Sequence, residues 1–137
     1  MTKLIITRSS EWNNRARNYG IYLDNSKIGT IANGETKEFD IDSGNHKING
    51  KIDWFTSPKI EFSIQENESK EIEMGGFKYG NIIMPIGLGI MLIILLITFL
   101  FKIESNILIL FSGIGFLYPL YYMTLGKNRY LTIREKI

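Results

Sequence analysis

The chain contains no cysteine, and this absence excludes disulfide bonds, thiolate metal sites and a cysteine nucleophile. It contains one histidine, His46, so a metal site built from several histidines is excluded as well. A large net charge is also missing. The 16 Lys and Arg residues and the 14 Asp and Glu residues leave +2, far below the basic excess of a dedicated nucleic-acid-binding protein.

Two long apolar runs stand out from the rest of the 137 residues. Residues 82–101 and 107–125 contain no Asp, Glu, Lys, Arg or His. A helix of such a length is about 30 Å long, which matches the hydrocarbon core of a bilayer. The remaining residues are too few to cover two helices that are apolar on every face. The sequence therefore predicts two transmembrane helices and not two buried core helices.

The distribution of basic residues predicts the orientation of these spans. The link 102–106 is so short that the two spans must run antiparallel as a hairpin. Lys102 in the link is balanced by Glu104, whereas basic residues flank the outer ends of the hairpin: Lys78, Lys127, Arg129, Arg134 and Lys136. Lys and Arg collect on the cytoplasmic side of a membrane, and the start of the chain lacks the pattern of an export signal. We therefore expect both the N- and the C-terminus to be cytoplasmic.

The composition also indicates a source. The chain has 24 Ile and 11 Asn residues but only 2 Ala, a bias typical of a low-GC bacterial genome. Combined with the charge distribution, this predicts a multi-pass protein of the bacterial inner membrane. Its membrane hairpin occupies residues 77–137 and ends in a basic C-terminal tail.

Three features describe the predicted hairpin. Pro119 lies deep enough in the second span to kink it. Four glycines would permit close approach of the helices, namely Gly87, Gly89, Gly113 and Gly115, although none forms a G-x-x-x-G pair within a span. No charged residue lies inside either span, whereas transport pathways usually depend on one. We therefore expect an anchor and not a transport pathway.

Residues 1–76 have a different pattern. Apolar and polar residues alternate in several short runs, most clearly in 60–64, as they do in half-buried β-strands. Asp24-Asn25 predicts a turn, and Asn33-Gly34 predicts a two-residue type I′ hairpin, because both positions of that turn need a positive φ. The pattern predicts about six or seven short strands and thus an all-β small sandwich, followed by the transmembrane α-helical hairpin.

One stretch, residues 9–17, breaks the strand pattern and is expected to form a loop or a turn of helix capped by Ser10. Trp12, Arg15 and Arg17 in this stretch allow a nucleic-acid interpretation, because Arg binds phosphate and Trp stacks on bases. Residues 1–76, however, hold 10 Lys and Arg residues against 12 Asp and Glu residues. We therefore expect a surface loop whose Trp12 covers the end of the core, and no nucleic acid among the partners.

The same residues belong to a candidate partner-binding surface, which consists of Trp12, Arg15, Arg17, Trp54 and Phe55. The last two precede Thr56-Ser57-Pro58, a turn able to present them at one end of the sandwich. The competing interpretation, which we favour, puts Trp54 in the core and leaves only Phe55 partly exposed.

Catalytic and metal sites are not indicated. Asp24, Asp40 and Asp42 lie near predicted turns, and their spacing fits neither a calcium loop nor a paired-carboxylate site. No arrangement of Ser or Asp in the sequence points to His46 as a base. We therefore expect no catalytic residue, no metal and no cofactor, and no enzymatic activity.

Two short motifs resemble a known group of domains. Residues 22–29 (YLDNSKIG) resemble a hairpin of PEGA-type and DUF2846-type bacterial β-sandwich domains, and residues 42–48 (DSGNHKI) are similar to the strand entry that follows it. Asn25 stands where glycine is usual, and Ser43 where proline is usual. The resemblance covers about residues 4–72 and implies a non-catalytic module of envelope proteins. Many such domains work outside the cytoplasm, whereas the charges here predict a cytoplasmic one.

These observations predict a non-enzymatic, membrane-anchored cytoplasmic β-sandwich for partner binding or scaffolding, with the lipid bilayer and a protein as its partners. A second hypothesis is an accessory or immunity-type membrane protein that acts through its transmembrane hairpin. A third, an enzyme that acts on lipid head groups at the membrane surface, requires a pocket with converging polar groups.

Overall fold

The computed structural model describes residues 2–103 and 106–136. Within these residues the chain forms nine β-strands and three α-helices. In chain order the strands are β1 (Thr2–Arg8), β2 (Tyr19–Leu23), β3 (Ser26–Ile31), β4 (Thr36–Ile41), β5 (Gly44–Ile52), β6 (Phe55–Thr56), β7 (Ile60–Ile64), β8 (Ser69–Gly75) and β9 (Thr132–Glu135). The helices, α1 (Gly80–Phe101), α2 (Asn106–Ile114) and α3 (Leu117–Met123), lie between β8 and β9.

The strands form two sheets that share one core, and together we call them the β-domain. In the first sheet the order is β4-β1-β8-β9, with β1 parallel to β8 and the other pairs antiparallel. In the second the order is β3-β2-β5-β6, and β7 also pairs with β5. The predicted β-rich character is confirmed. Residues 2–76 contain eight strands where we expected six or seven, and a further strand, β9, follows the helices.

The core follows from alternation along the strands. Leu4 and Ile6 of β1 and Ile72 of β8 are buried on one side of it, and Ile21 of β2 and Ile48 of β5 on the other. Successive side chains of a strand point to opposite faces, so every second residue enters the core. Complete burial of an Ile or Leu side chain stabilises a fold by about 1.5–3 kcal/mol.

The two-residue hairpin predicted at Asn33-Gly34 is wrong. β3 and β4 belong to different sheets, and the connection between them carries the chain from one sheet to the other. Gly34 has a φ of 71°, whereas Asn33 does not have a positive φ. The side chain of Asn33 has another role, because its Oδ1 accepts a hydrogen bond from the backbone N–H of Glu11 at 2.9 Å. At the predicted turn between β2 and β3, by contrast, Asp24 and Asn25 do have positive φ angles of 50° and 69°.

The last strand, β9, follows the helices and returns to the β-domain. It pairs antiparallel with β8, from Thr132 opposite Gly75 to Glu135 opposite Ile72. Ion pairs reinforce the contact, namely Arg134–Glu73 at 2.6 Å, Lys70–Glu135 at 3.1 Å and Lys136–Glu71 at 3.5 Å. The sequence analysis assigned this segment to a basic tail. In the structure, the segments before and after the helices are neighbours in one sheet.

α1 is the only single helix in the described residues that is long and apolar enough to cross a membrane. Its 22 residues correspond to about 33 Å. It begins at Gly80, two residues before the predicted span. Most of its large apolar side chains, from Ile82 to Phe101, are exposed. A helix that is apolar and exposed on most sides is suited to lipid and not to water.

The second predicted span, 107–125, is divided between α2 and α3, which are bent by 50° relative to each other. Such a pair is either one broken span or a re-entrant loop. Pro119 accounts for the break, because a proline has no N–H to donate to the carbonyl group of Gly115, four residues earlier. At the break itself, the N–H of Phe116 bonds to the carbonyl of Gly113, only three residues earlier, at 3.0 Å.

The backbones of the two arms of the helical segment lie close to each other at Gly87 and Gly115. A Cβ atom on Gly115 would lie 3.2 Å from the Cα of Gly87, closer than ordinary contact permits. At Gly89 and Gly113, in contrast, a Cβ would have no atom of the described residues within 4 Å. Of the four glycines singled out in the sequence, one facing pair therefore permits the close approach.

Candidate functional site

The loops at one end of the β-domain surround the first and last residues of the helical segment. We call this the helix-proximal end. It is formed by the loops 9–18, 53–54, 76–79 and 126–131, which follow or precede the ends of β1, β5, β8 and β9. The opposite, helix-distal end carries the turns 24–25, 42–43 and 65–68. All candidate partner-binding residues of the sequence analysis lie at or next to the helix-proximal end.

A buried polar cluster lies beneath these loops and consists of Arg8, Glu11, Asn14, Tyr19 and Tyr130. Arg8 is 1% exposed, and its guanidinium group lies 3.6 Å from the centre of the Tyr19 ring. It donates hydrogen bonds to the carbonyl groups of Arg17 at 2.5 Å and Asn14 at 2.8 Å. Its Nε lies 3.6 Å from a carboxylate oxygen of Glu11. A buried arginine thus holds the 9–18 loop against β1 and β2.

Glu11 connects the cluster to its neighbours. Its carboxylate accepts hydrogen bonds from the Tyr19 hydroxyl and, at 3.2 Å, from the Asn14 amide. Burial and the hydrogen bond to Glu11 raise the pKa of Tyr19, and burial raises the pKa of Tyr130, so both hydroxyls stay protonated and act as donors. The Tyr130 hydroxyl donates to Asn14 Oδ1 at 3.0 Å. The C-terminal segment is therefore fixed to the 9–18 loop.

Gly76 is required next to Glu11. A Cβ atom at position 76 would overlap with Oε2 of Glu11. The backbone between β8 and α1 can therefore pass directly over the carboxylate only because residue 76 has no side chain.

Aromatic rings form the junction between the β-domain and the helices. Tyr130 stacks on Phe55 with ring centres 4.3 Å apart, and it lies 5.3 Å from Phe77. Phe77 in turn stacks on Tyr122 of α3 at 5.4 Å, and the hydroxyl of Tyr118 bonds to the carbonyl of Lys78 at 2.5 Å. The entry and the exit of the helical segment thus touch each other at one place.

The 9–18 loop contains turns and no helix, so the turn of helix suggested for 9–17 does not form. Trp12 is 62% exposed and does not cover the core as expected; its backbone N–H bonds to Asn81 Oδ1 of α1 at 2.9 Å. Arg15 is exposed next to Trp12, and the exposed Arg17 forms an ion pair with Asp53. The core is closed at this end by the buried polar cluster instead.

The favoured assignment of Trp54 to the core and Phe55 to the surface is wrong. Trp54 is 69% exposed, and Phe55 is only 6% exposed. The reason is the turn between β5 and β6, in which Asp53 adopts a φ of 50° and Ile52 pairs with Phe55. Trp54 therefore occupies the turn itself, whereas Phe55 points inward to Tyr130. Trp12, Arg15, Arg17 and Trp54 share one exposed end, and Phe55 lies beneath them.

The buried polar cluster was not predicted from the sequence, although one signal for it exists. Arg8 has the same phase as Leu4 and Ile6 in β1, so strict alternation places its side chain on the core face. A buried arginine needs several acceptors and a counter-charge. Those partners come from residues 11–31, and local patterns do not show which of them converge.

A second polar arrangement lies at the helix-distal end. His46 Nδ1 lies 2.7 Å from a carboxylate oxygen of Asp24, and Nε2 lies 2.9 Å from the carbonyl oxygen of Asp42. The sequence analysis did not find an acidic partner for this histidine. The hydrogen bond to Asp24 raises the pKa of His46, and the carbonyl of Asp42 contributes in the same direction. The hydrogen bond from His46, together with the N–H of Lys47, lowers the pKa of Asp24.

Among residues 2–103 and 106–136, no group of three or more His, Asp or Glu side chains is placed to hold a metal ion. Comparison of the chain with protein-family models, curated proteins and solved structures finds no match.

Replacement of Arg8 should strongly destabilise the fold. Arg8→Met leaves the Glu11 carboxylate buried without its counter-charge, which costs about 3–5 kcal/mol of unfolding free energy. The matched control is Lys3→Met on the same strand, because Lys3 pairs with Glu38 on the exposed face at 2.8 Å. Thermal unfolding of the full chain in detergent, followed by near-ultraviolet circular dichroism, should show a large loss for Arg8→Met and little change for Lys3→Met. Equal midpoints for the two variants would show that the cluster does not stabilise the fold.

The His46–Asp24 pair should make stability depend on pH. Because the folded-state pKa of His46 is raised above 6.5, protonated His46 stabilises the fold below about pH 6.5, and this contribution disappears as pH rises through the folded-state pKa. Asp24, with a lowered pKa, adds stability above about pH 4 that is lost as pH falls through its folded-state value. We therefore compare the thermal midpoints of the unmodified chain and of His46→Gln. The midpoint of the unmodified chain should be higher, and the difference should be larger at about pH 5.5 than at about pH 8. Parallel pH profiles of the two proteins would contradict this expectation.

Proposed function

We propose that the chain is a non-enzymatic, membrane-anchored module of the bacterial inner membrane, whose cytoplasmic β-domain binds a protein partner. The observation that carries this proposal is the contact between the chain segments just before and just after the helices. Phe77 before α1 contacts Tyr130 after α3, and β9 pairs with β8. The helices therefore leave the β-domain and return to the same end of it.

This closure limits how the chain crosses a bilayer. Because both ends of the helical segment are fixed to one folded domain, the number of complete crossings must be even. The length of α1 favours a full crossing, and α2 with α3 then forms the return span, bent at Gly115 where it meets Gly87. The alternative of a re-entrant return would leave the link 102–106 within the membrane or on the same side as the β-domain.

The orientation is proposed from charge. Lys78, Lys127 and Arg129 lie on the β-domain side of the helices, whereas the described part of the link contributes Lys102 alone. The positive-inside rule therefore favours a cytoplasmic β-domain. The resemblance to PEGA-type and DUF2846-type domains remains part of the proposal, and the positive φ angles of Asp24 and Asn25 suit the hairpin on which it rests.

The β7 strand is the part of the β-domain best suited to a protein partner. Within the described residues β7 pairs with β5 alone, so no strand pairs with the other edge of its backbone. Its outward side chains, Glu61 and Ser63, are exposed, and Phe62 and Ile64 anchor it in the core. β3, β4 and β9 are edge strands as well, but they carry charged side chains, which discourage strand addition, and the edge strand β6 is only two residues long. An extended peptide added to β7 would gain main-chain hydrogen bonds.

A second candidate function places the activity in the helices, as in an accessory or immunity-type membrane protein. The exposed apolar faces favour it, since Phe99 and Leu110 remain uncovered although α1 and α2 pack on each other. Another membrane protein is a suitable neighbour for such faces.

Cysteine labelling should reveal the proposed topology, because the natural chain has no cysteine and each introduced one reports alone. In a bacterial host, Lys102→Cys should react with a membrane-impermeant maleimide from outside the cytoplasmic membrane. The control, Ser43→Cys in an exposed turn of the β-domain, should react only in inverted vesicles. If both variants reacted from the same side of the membrane, the helical segment would be re-entrant. If each variant reacted from the side expected for the other, the proposed orientation would be wrong.

Site-specific photocrosslinking should locate the partner. A photoreactive residue at Ser63 should give a discrete protein adduct in cells of the source, and the same residue at the exposed Lys27 of β3 should not. The adduct should persist when residues 82–125 are replaced by an unrelated membrane hairpin, if the β-domain carries the function. If the adduct disappeared when the original helices were replaced, the second candidate function would be favoured. If neither position gave an adduct, partner binding at β7 would be contradicted.

A further inference from the structure

The two tryptophans of the chain lie at the helix-proximal end and are largely exposed. They come from loops far apart in sequence, and two contacts bring them to the same end. The Trp12 N–H is bonded to Asn81 of α1, and the ion pair between Arg17 and Asp53 joins the Trp12 loop to the Trp54 turn. Exposure of two such large rings to water is unfavourable, whereas the membrane–water interface accommodates an apolar ring with a polar N–H.

Unpaired basic residues surround the tryptophans. Arg15, Lys78, Lys127 and Arg129 are exposed, and none of them forms an ion pair within the described residues. The nearby carboxylates are already engaged: Glu11 is buried near Arg8, and Asp53 pairs with Arg17. The helix-proximal end thus has a local excess of positive charge that the net charge of the whole chain does not reveal.

The opposite end of the β-domain has the opposite character. Its turns carry exposed acidic residues, namely Asp24, Asp42, Glu66 and Glu68. The domain is therefore polarised along the direction in which the helices leave it. An anionic membrane surface would attract the helix-proximal end and repel the helix-distal end.

The position of these residues relative to the helices limits which partner they meet. Lys78 directly precedes α1, and Lys127 and Arg129 follow α3 within six residues. If α1 crosses a bilayer, they lie at the level of its headgroups. A protein partner would have to enter the space between the domain and the membrane, whereas lipid headgroups already occupy it.

We propose that the helix-proximal end of the β-domain binds the headgroups of acidic phospholipids, with Trp12 and Trp54 inserted at the interface and the four basic residues on the phosphates. This inference rests on the proposed function only in requiring that α1 crosses the bilayer. It assigns to lipid the surface that the sequence analysis assigned to a protein. Each basic residue at an anionic surface strengthens binding about five-fold.

The tryptophans themselves provide the test. Trp12→Phe leaves Trp54 as the sole tryptophan, and Trp54→Phe leaves Trp12. The full chain of each variant is reconstituted into vesicles of phosphatidylcholine, with or without phosphatidylglycerol, that contain a lipid with a spin-labelled headgroup. We expect the label to quench the fluorescence of both variants, with more quenching when phosphatidylglycerol is present. Quenching that is absent, or equal in the two lipid mixtures, would overturn the proposal.

A charge-matched pair of variants separates lipid recognition from net charge. Arg15→Gln with Arg129→Gln should remove most of the difference between the two lipid mixtures, because two such residues contribute about 25-fold. Lys27→Gln with Lys59→Gln, which removes the same charge near the helix-distal end, should retain the difference. Equal effects of the two double variants would overturn the specific role of the helix-proximal end.

The two proposals fail in different experiments. Labelling of Lys102→Cys in the same vesicles reports whether the hairpin crosses the bilayer, and tryptophan quenching reports whether the domain touches it. Normal labelling with unquenched tryptophans would overturn lipid binding alone. A protein adduct formed by a photoreactive residue at position 12 in cells, with unquenched tryptophans in vesicles, would assign the surface to a protein instead.

Discussion

The buried ion pair between Arg8 and Glu11 is the contact on which the arrangement of the helix-proximal end depends. Arg8 lies on the core face of β1. Its two terminal nitrogens donate hydrogen bonds to carbonyl groups of the following loop, whereas its Nε approaches Glu11 at 3.6 Å without a hydrogen bond. Glu11 is satisfied by Tyr19 and Asn14, and Asn14 accepts the hydroxyl of Tyr130. Removal of one partner from such a cluster leaves another buried polar or charged group unpaired, which destabilises the fold. The cluster therefore couples the first strand to the last segment of the chain.

That coupling fixes both ends of the helical segment to the β-domain. The same Tyr130 that closes the cluster stacks on Phe55 and contacts Phe77, so the polar cluster and the aromatic junction are continuous. α1 and the bent pair α2–α3 leave and return through this junction. Because the helical segment is held at both of its ends, it begins and ends at one place on the β-domain. The domain and the helices thus form one unit, although their compositions differ strongly.

Sequence reasoning succeeded where the signal is local. The alternation in β7, the turn at Asp24-Asn25 and the apolar run of α1 each reflect a property of a few consecutive residues, and the structure agrees with them. It failed at Asn33-Gly34, because the same dipeptide also fits a connection between two sheets. It also failed at Trp54 and Phe55, where a shift of one position exchanges the core and the surface. The turn geometry that sets this position involves β6, a strand of only two residues.

By itself, the sequence determined that a polar β-rich segment precedes strongly apolar helical runs, because hydrophobic periodicity and length are encoded residue by residue. Only the tertiary structure decided that β9 returns to β8, that Arg8 is buried with Glu11, and that Trp12 and Trp54 share one end. The first and the last of these depend on contacts between residues that are distant in the chain. The partners of Arg8 and Glu11 are nearer in sequence, and Tyr130, which bonds to Asn14, connects their cluster to the far end of the chain. The missing cysteines excluded covalent links between these segments, so their positions depend on packing, hydrogen bonds and ion pairs alone.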